Sequence, residues 1–255
     1  MNSLSVVIIT FNEEKNIKRC IDSVKTVADE VIVMDSFSAD KTGEIAKELG
    51  AKFFLRTFTG YGDQKNTAAG YASNDNILYL DADEFLSPEL IRAIEEQKEM
   101  GFPFDGYTMN RLNNYCGKWI RHGSWYPDKK LRLVNRDRGA WNLDLVHESL
   151  EMKEGSYIHH LKGDLLHYTY SNFDEHVEKN IKYSWLSAQL LYKRGKRVKA
   201  IKAFINPFWA FITSYFLRAG FLDGFYGFVI AVNIAHLTFL KYTRLYQLQQ
   251  EQKSS

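Results

Sequence analysis

The chain has 255 residues, with 33 lysines and arginines against 31 aspartates and glutamates. That length suits one large domain, or a domain with an appendage, and can bury a substantial core. The near balance of charge argues against a nucleic-acid binder, and Cys20 and Cys116, the only cysteines, lack metal-type spacing and fit a reducing compartment. The apolar run over residues 4–9 is too short for a secretory leader and has no basic residue before it, so a cytoplasmic location is expected. Aromatic residues crowd the last third, which suggests a second kind of surface there.

Leu4-Ser5-Val6-Val7-Ile8-Ile9 is rich in β-branched residues and predicts a buried strand. Thr10-Phe11-Asn12-Glu13-Glu14 follows as a polar loop. Asn12 is the expected N-cap of a helix running to about residue 27, with Ile17, Cys20, Ile21 and Val24 at helical spacing. Glu30-Val31-Ile32-Val33-Met34 predicts a second strand ending in a polar turn from Asp35. A helix over 39–49 then stops at Gly50. Ala51-Lys52-Phe53-Phe54-Leu55 is a third strand, residues 60–72 a helix holding Lys65, and Ile77-Leu78-Tyr79-Leu80 a fourth strand. A helix over 88–100 closes this half. Strands alternating with helices predict a parallel sheet with right-handed crossovers. Thr10, Asn12, Asp35 and Asp81 then converge on one crevice at the carboxyl ends of the strands, where open α/β sheets bind ligands.

Asp81-Ala82-Asp83-Glu84 stands at that edge. Side chains alternate on an extended backbone, so Asp81 and Asp83 can share a face. Two hard oxygen donors suit Mg²⁺ or Mn²⁺ and, through the ion, a diphosphate. The plainer alternative is an acidic loop opening the next helix, since acids favour helix N-termini.

Four segments in this order resemble family 2 glycosyltransferases of the GT-A fold. They are Val6-Val7-Ile8-Ile9-Thr10-Phe11-Asn12-Glu13, Val31-Ile32-Val33-Met34-Asp35-Ser36, Lys65-Asn66 and Leu80-Asp81-Ala82-Asp83-Glu84. Later segments, Trp125-Tyr126-Pro127-Asp128-Lys129-Lys130-Leu131-Arg132-Leu133, Val146-His147-Glu148, His167-Tyr168 and Gly220-Phe221-Leu222-Asp223-Gly224, are similar to bacterial lipopolysaccharide-core glucosyltransferases of the WaaE type. The resemblance implies that Thr10 and Asp35 line a nucleoside pocket, with Lys65 near the base or diphosphate, and Asn12, at the same crevice, is a further candidate nucleotide contact. It also implies that Asp81 lies close to ribose and metal and that Asp83 ligates the metal. Many members carry paired acids after the second strand, where this chain has Asp35-Ser36. Turn chemistry is the other reading of Asp35, and a solvated helix face that of Lys65.

From Gly106 the alternation fades. Gly106-Tyr107-Thr108-Met109-Asn110 and Lys130-Leu131-Arg132-Leu133-Val134 predict strands around an aromatic loop with Trp119, His122, Trp125 and Tyr126. Aromatic faces suit the apolar C–H faces of sugars, so Trp125 and Tyr126, with His147, are candidate acceptor contacts; filling core is the alternative. Inverting glycosyl transfer needs a base for the acceptor hydroxyl and positive charge for the departing diphosphate. Glu148 is the candidate base, with Asp128 and Asp144 in reserve. His167 is a candidate metal or diphosphate contact, or else a satisfied core histidine.

A helix over 174–192 is followed by Lys193, Arg194, Lys196, Arg197, Lys199 and Lys202 with no acid among them. Apolar aromatic stretches over 203–217, broken by Asn206-Pro207, and over 225–240 come next. Neither is a clean span of roughly 20 apolar residues. The basic run beside aromatic helices predicts a monotopic surface on anionic lipid, against a buried helical hairpin.

These readings combine into an α/β GT-A domain over 1–170, with a nucleotide-binding half (1–105) and an acceptor half (106–170). A helical, membrane-associating region over 171–255 completes the chain. The expected activity is metal-dependent, inverting transfer of a hexose, glucose foremost, from a UDP-sugar or other nucleotide diphosphate sugar to a lipid-linked glycan such as lipopolysaccharide core. The enzyme would sit on the inner face of the cell membrane, with no nucleic-acid partner. Its rivals are a polyprenyl-phosphate acceptor, a sugar nucleotidylyltransferase, which usually wants a Gly- and Arg-rich loop absent after the first strand, and a non-catalytic membrane adaptor.

Overall fold

All seven residues of β1 (Leu4–Thr10) are buried, because the strand is hydrogen-bonded in parallel on both edges and covered on both faces. The computed structural model describes residues 2–143 and 148–251. Leu4, Val6 and Ile8 point into one apolar cluster and Val7 and Ile9 into another, the period-two alternation of a strand buried on both sides. α1 (Ile17–Val24) lays Ile17, Cys20, Ile21 and Val24 on the first face. β2 (Glu30–Asp35), α2 (Thr42–Glu48), β3 (Lys52–Leu55), α3 (Tyr61–Gly70) and β4 (Asn76–Asp81) complete the parallel half. Thr10 pairs with Asp35 and Ile9 with Asp81, so these chain-distant polar residues share one edge.

After β4 come β5 (Glu84–Leu86), α4 (Pro88–Glu99), β6 (Gly106–Tyr115), β7 (Lys118–Ile120), β8 (Asp128–Asn135), β9 (Gly139–Trp141), β10 (Leu150–Met152) and β11 (Ile158–Tyr170). The mixed sheet runs β3-β2-β1-β4-β8-β6-β11-β5, with β7 on β6, while β9 and β10 form a separate ribbon. Ser87 caps α4 by accepting the Leu90 N–H at 3.2 Å, and Pro88 follows at the first helical position. The chain forms two compact units, Met1–Arg111 with Asp128–His167, and Leu112–Pro127 with Tyr168–Ser255.

In the second unit, α5 (Phe173–Lys193), α6 (Lys202–Ile212) and α7 (Gly224–Glu251) pack with the 112–127 segment. Buried His176 stacks on Tyr170 and lies 3.2 Å from the Tyr115 hydroxyl; burial, then the Lys179 charge, lowers its pKa to about 4. Buried Asp223 accepts the backbone N–H of His122 at 2.8 Å and of Arg121 at 3.3 Å.

Several local expectations are corrected. Asn12 caps no helix: it sits at φ 55°, its side chain accepts the Ala39 N–H at 2.8 Å, and α1 begins only at Ile17. The side chain thus ties the loop after β1 to the loop after β2. α6 runs through Pro207 instead of breaking there and passes into a π-helical turn, Thr213–Leu217. The missing proline N–H costs one ladder bond, which helix packing offsets. The apolar stretch over 225–240 extends into one 28-residue helix, α7. The region Gly220–Glu251 is long and apolar enough to cross a membrane by length and composition.

Candidate active site

The loop between β4 and β5 is held from beneath by its own third acid. Glu84 is fully buried, accepts the Asp81 N–H at 3.1 Å, and receives the Arg132 guanidinium at 2.7 Å. Arg132 sits on β8, one residue from the Leu78–Leu133 pair, and reaches Asp81 Oδ2 at 3.3 Å. Lys65, buried on α3, reaches Asp81 Oδ1 at 2.9 Å. Each Asp81 oxygen therefore faces a cation. Burial alone would raise the Asp81 carboxyl, but Lys65 and Arg132 outweigh it and hold it well below the usual carboxylate range. Burial likewise opposes the Arg132 charge, while Glu84 and then Asp81 outweigh that and push its pKa up. Trp141, the last residue of β9, walls this cluster: Lys65 Nζ lies 4.2 Å and the Arg132 guanidinium 5.6 Å from its ring centre.

Asp83 has a different partner. Register pairs His167 with Glu84 across β11 and β5, and this puts His167 Nε2 3.2 Å from Asp83 Oδ2. A carboxylate and an imidazole, both partly exposed, are a donor pair that suits Mg²⁺ or, better, Mn²⁺. Among the described residues no group of three or more His, Cys, Asp or Glu side chains is set to hold a metal. A cation here would take two ligands from the protein and the rest from diphosphate oxygens and water.

The neighbouring edge offers polar atoms without partners among the described residues. Thr10 Oγ1, at the end of β1, is buried with no hydrogen-bond partner among them, and so is Gln64 Oε1 on α3. Gln64 donates through Nε2 to Ser36 Oγ at 3.2 Å. Buried polar atoms left unpaired are costly, about 1–3 kcal/mol each, and a bound ligand would satisfy them. Asp35 is buried and turned onto its own loop, accepting the Ser38 N–H at 2.7 Å and the Ser38 hydroxyl at 2.5 Å. The turn chemistry is thus present at Asp35, while Asn12 holds the adjacent loop.

Glu148 is half-buried, two residues before β10. Leu150 pairs with Trp141, and Asn142 and Ser149 close the loop with backbone and side-chain bonds of 2.8–3.1 Å. The segment bearing Glu148 thus springs from the strand end that walls the Lys65–Asp81 pair. His147 and Asp144 lie outside the described residues. Asp128 pairs with Arg111 at 2.9 Å and Lys130 at 3.0 Å. Trp125 belongs to the second unit, packed with Tyr115, Tyr170 and His176 in an aromatic cluster; Tyr126 follows it, joined to Pro127 by a cis peptide bond.

The sequence alone assigns no role to Arg132, Gln64 or Trp141. Arg132 does carry a signal: an arginine between Leu131 and Leu133 in an apolar strand demands a buried acid.

A profile described as Glycosyl transferase family 2 matches residues 5–142, which include the whole cation–carboxylate cluster. The chain belongs to glycosyl transferase family 2. This glycosyltransferase is 34% identical to an uncharacterized glycosyltransferase of Rickettsia typhi, over 97% of this chain and 88% of that protein. It is 30% identical to the lipopolysaccharide core biosynthesis glycosyltransferase LpsC of Rhizobium meliloti, over 96% of this chain and 92% of that one. Among solved structures it is similar to glucosyl-3-phosphoglycerate synthase from Mycobacterium tuberculosis, crystallised with Mn²⁺, UDP and phosphoglyceric acid. That match has a TM-score of 0.50 at 18% identity, covering 77% of this chain and 80% of that one. It supports the GT-A fold of the family 2 glycosyltransferase, a mixed, mainly parallel sheet with helices, here carrying the long apolar helix α7.

Proposed function

We propose that this glycosyltransferase moves a hexosyl group, with inversion, from a UDP-sugar to a hydroxyl of a lipid-linked glycan of the lipopolysaccharide-core type, at the inner face of the cell membrane. The observation that carries it is the division within one loop. Asp81 is neutralised by Lys65 and Arg132, while Asp83 pairs with His167. The lipopolysaccharide-core assignment of LpsC supports the acceptor class.

In this reading the unpartnered Thr10 Oγ1 and Gln64 Oε1 receive donor groups of the nucleoside. Asp83 and His167 hold Mg²⁺ or Mn²⁺, which when bound supplies positive charge to the diphosphate. Lys65 and Arg132 keep Asp81 ionised and aimed, so the pocket floor is set before the donor arrives. Glu148 takes the proton from the acceptor hydroxyl as its oxygen bonds to the anomeric carbon. The bond from that carbon to the diphosphate breaks, and its electron pair leaves with UDP.

A thermal-shift panel of nucleotide sugars, with and without Mn²⁺, tests the donor side, since a ligand of the folded state raises Tm by mass action. A Mn²⁺-dependent rise with a UDP-sugar is expected and should vanish in Asp83→Asn. Glu148→Gln should keep that rise and lose at least 100-fold in turnover. Near-normal turnover of this variant would remove Glu148 as base and favour a phosphate acceptor, which is already an anion.

A further inference from the structure

The second unit carries a helix whose apolar stripe faces outward. On α6 and the residue before it, Ile201, Phe204, Ile205, Phe208 and Trp209 recur at i, i+3, i+4, i+7 and i+8, the spacing of a face made for burial. All five are exposed, Phe204 at 68%, Phe208 at 67% and Trp209 at 59%, while Ala203 on the opposite face is buried. Leu217, Leu222 and Phe225, which follow in sequence, are exposed as well, the last 74%. Large apolar side chains exposed in this number mark an interaction site.

Its chemistry selects the occupant. The loop leading into α6 exposes Lys193, Arg194, Lys196, Arg197, Lys199 and Lys202, and no acid interrupts them. The same loop lines a cleft of about 870 Å³ with Tyr246 and Gln249 at the end of α7. Aromatic side chains beside a basic collar match hydrocarbon beneath anionic headgroups.

We infer that α6 and the turn before α7 lie in the plane of an anionic bilayer, buried in one leaflet, and that α7 does not cross it. This deepens the reading of a membrane-presented acceptor and rests on it only for the identity of that membrane. α7 is long and apolar enough to span, but it is bound along its length to α5. Asn180 Nδ2 donates to the Asn233 carbonyl at 3.2 Å, and Arg244 donates to the Ile181 carbonyl and Ser184 Oγ, both at 2.6 Å. Gln249 exchanges hydrogen bonds with the Val198 backbone at 2.8 and 3.3 Å. α5 exposes Asp174, Glu178, Lys179 and Lys182. Were α7 to cross, α5 would carry these charges into hydrocarbon, where ionised side chains are strongly disfavoured. The in-plane seat leaves the α5–α7 bonds intact and the charges in water.

Flotation of the full chain with vesicles of phosphatidylcholine alone, or mixed equally with phosphatidylglycerol, tests the seat. Binding to the mixed vesicles should exceed binding to the neutral ones at least tenfold. A Phe204→Ser, Phe208→Ser, Trp209→Ser variant should lose at least tenfold while keeping its Tm, because these side chains are exposed. Lys196→Glu with Lys199→Glu should erase the preference for anionic lipid. Trp209 fluorescence, taken as the difference from Trp209→Phe, should be quenched more by shallow than by deep brominated lipid. Equal quenching at both depths, or protection of a C-terminal tag from protease outside the vesicles, would mean a span and overturn the inference. So would a wild-type chain that dimerises through this face and ignores both vesicles. Vesicle binding as described without transfer from any nucleotide sugar would defeat the proposed function alone. Transfer to a soluble acceptor without vesicle binding would defeat the seat alone.

Discussion

Glu84 and Asp83 are one residue apart, yet their removal should have opposite consequences. Glu84 is fully buried and Arg132 nearly so, and their 2.7 Å pair is the shortest ion pair either makes among the described residues, with Asp81 and the more distant Arg111 beside it. Breaking a buried pair leaves a charge without water, at a cost of about 3–5 kcal/mol. Arg132→Met keeps the stem and loses the charge, so the unfolding free energy from urea titration should fall by that amount even without donor. Asp83 is partly exposed and faces His167, so Asp83→Asn should change stability by less than about 0.5 kcal/mol while abolishing the Mn²⁺-dependent shift. Comparable destabilisation by both variants would dissolve the distinction between a scaffold acid and a ligand acid. The place of Asp81 and Asp83 at the sheet edge was legible because acids after an apolar strand have one place to go in an open sheet, whereas Lys65 entered only through the family resemblance. Arg132 announces by its apolar neighbours that it needs an acid, but that the acids are Glu84 and Asp81 emerges only from the β4–β8 register. The Ser38 bonds of Asp35 depend on a loop conformation with Phe37 at φ 64°, which residue types alone do not specify.

At the scale of elements, α3 holds its place by close approach. A Cβ on Gly62 would overlap the Asn142 carbonyl oxygen, so the helix bearing Gln64 and Lys65 can dock at the end of β9 only with glycine there. Asn66 fastens the same contact, exchanging bonds of 2.8 and 3.0 Å with the Trp141 backbone. Gly62→Ala should therefore push α3 off Trp141 and cost about 1–3 kcal/mol. It should also weaken UDP-sugar binding in isothermal titration, since Lys65 and Gln64 move together. Unchanged affinity with lowered stability would separate the dock from the pocket. β1, β2 and β4 were readable because each is a largely apolar run buried in the sheet, and β3, an exposed edge strand, because Phe53 and Phe54 follow the Gly50 stop. β5 and β11 were not: β5 has three residues and starts inside the acidic cluster, and β11 mixes Lys162, Gly163 and Asp164 with apolar residues in no clean alternation. Their pairing joins positions some eighty residues apart, as Leu165 with Leu86, and nothing local announces it. Pro207 misled in the other direction, because packing against α7 sustains a helix that its sequence alone would interrupt.

For the molecule as a whole, the response to acid follows from one buried imidazole. His176 is 2% exposed, ringed by Tyr115, Trp125 and Tyr170, and its pKa is lowered to about 4 from an ordinary 6.5, chiefly by burial and secondarily by Lys179. The folded state holds the neutral ring, whereas the unfolded chain takes up a proton below pH 6.5. The contribution is therefore fully present above about pH 6.5 and is lost as pH falls toward 4. Between pH 7 and pH 5 the loss amounts to about 2 kcal/mol. Glu30 adds a second, lower window: despite burial, bonds from Lys52, Ser5 and Ser73 hold it at about 2 against 4.5, so its contribution persists above pH 4.5 and disappears toward 2. Urea unfolding of wild type at pH 7 and 5 should show the first loss, and His176→Gln, which keeps a hydrogen-bonding side chain but cannot titrate, should flatten it. Because Trp125 lies 5.3 Å from His176, its emission reports the unit in which the change occurs. A variant as acid-sensitive as wild type over this range would show that His176 is not the group responsible.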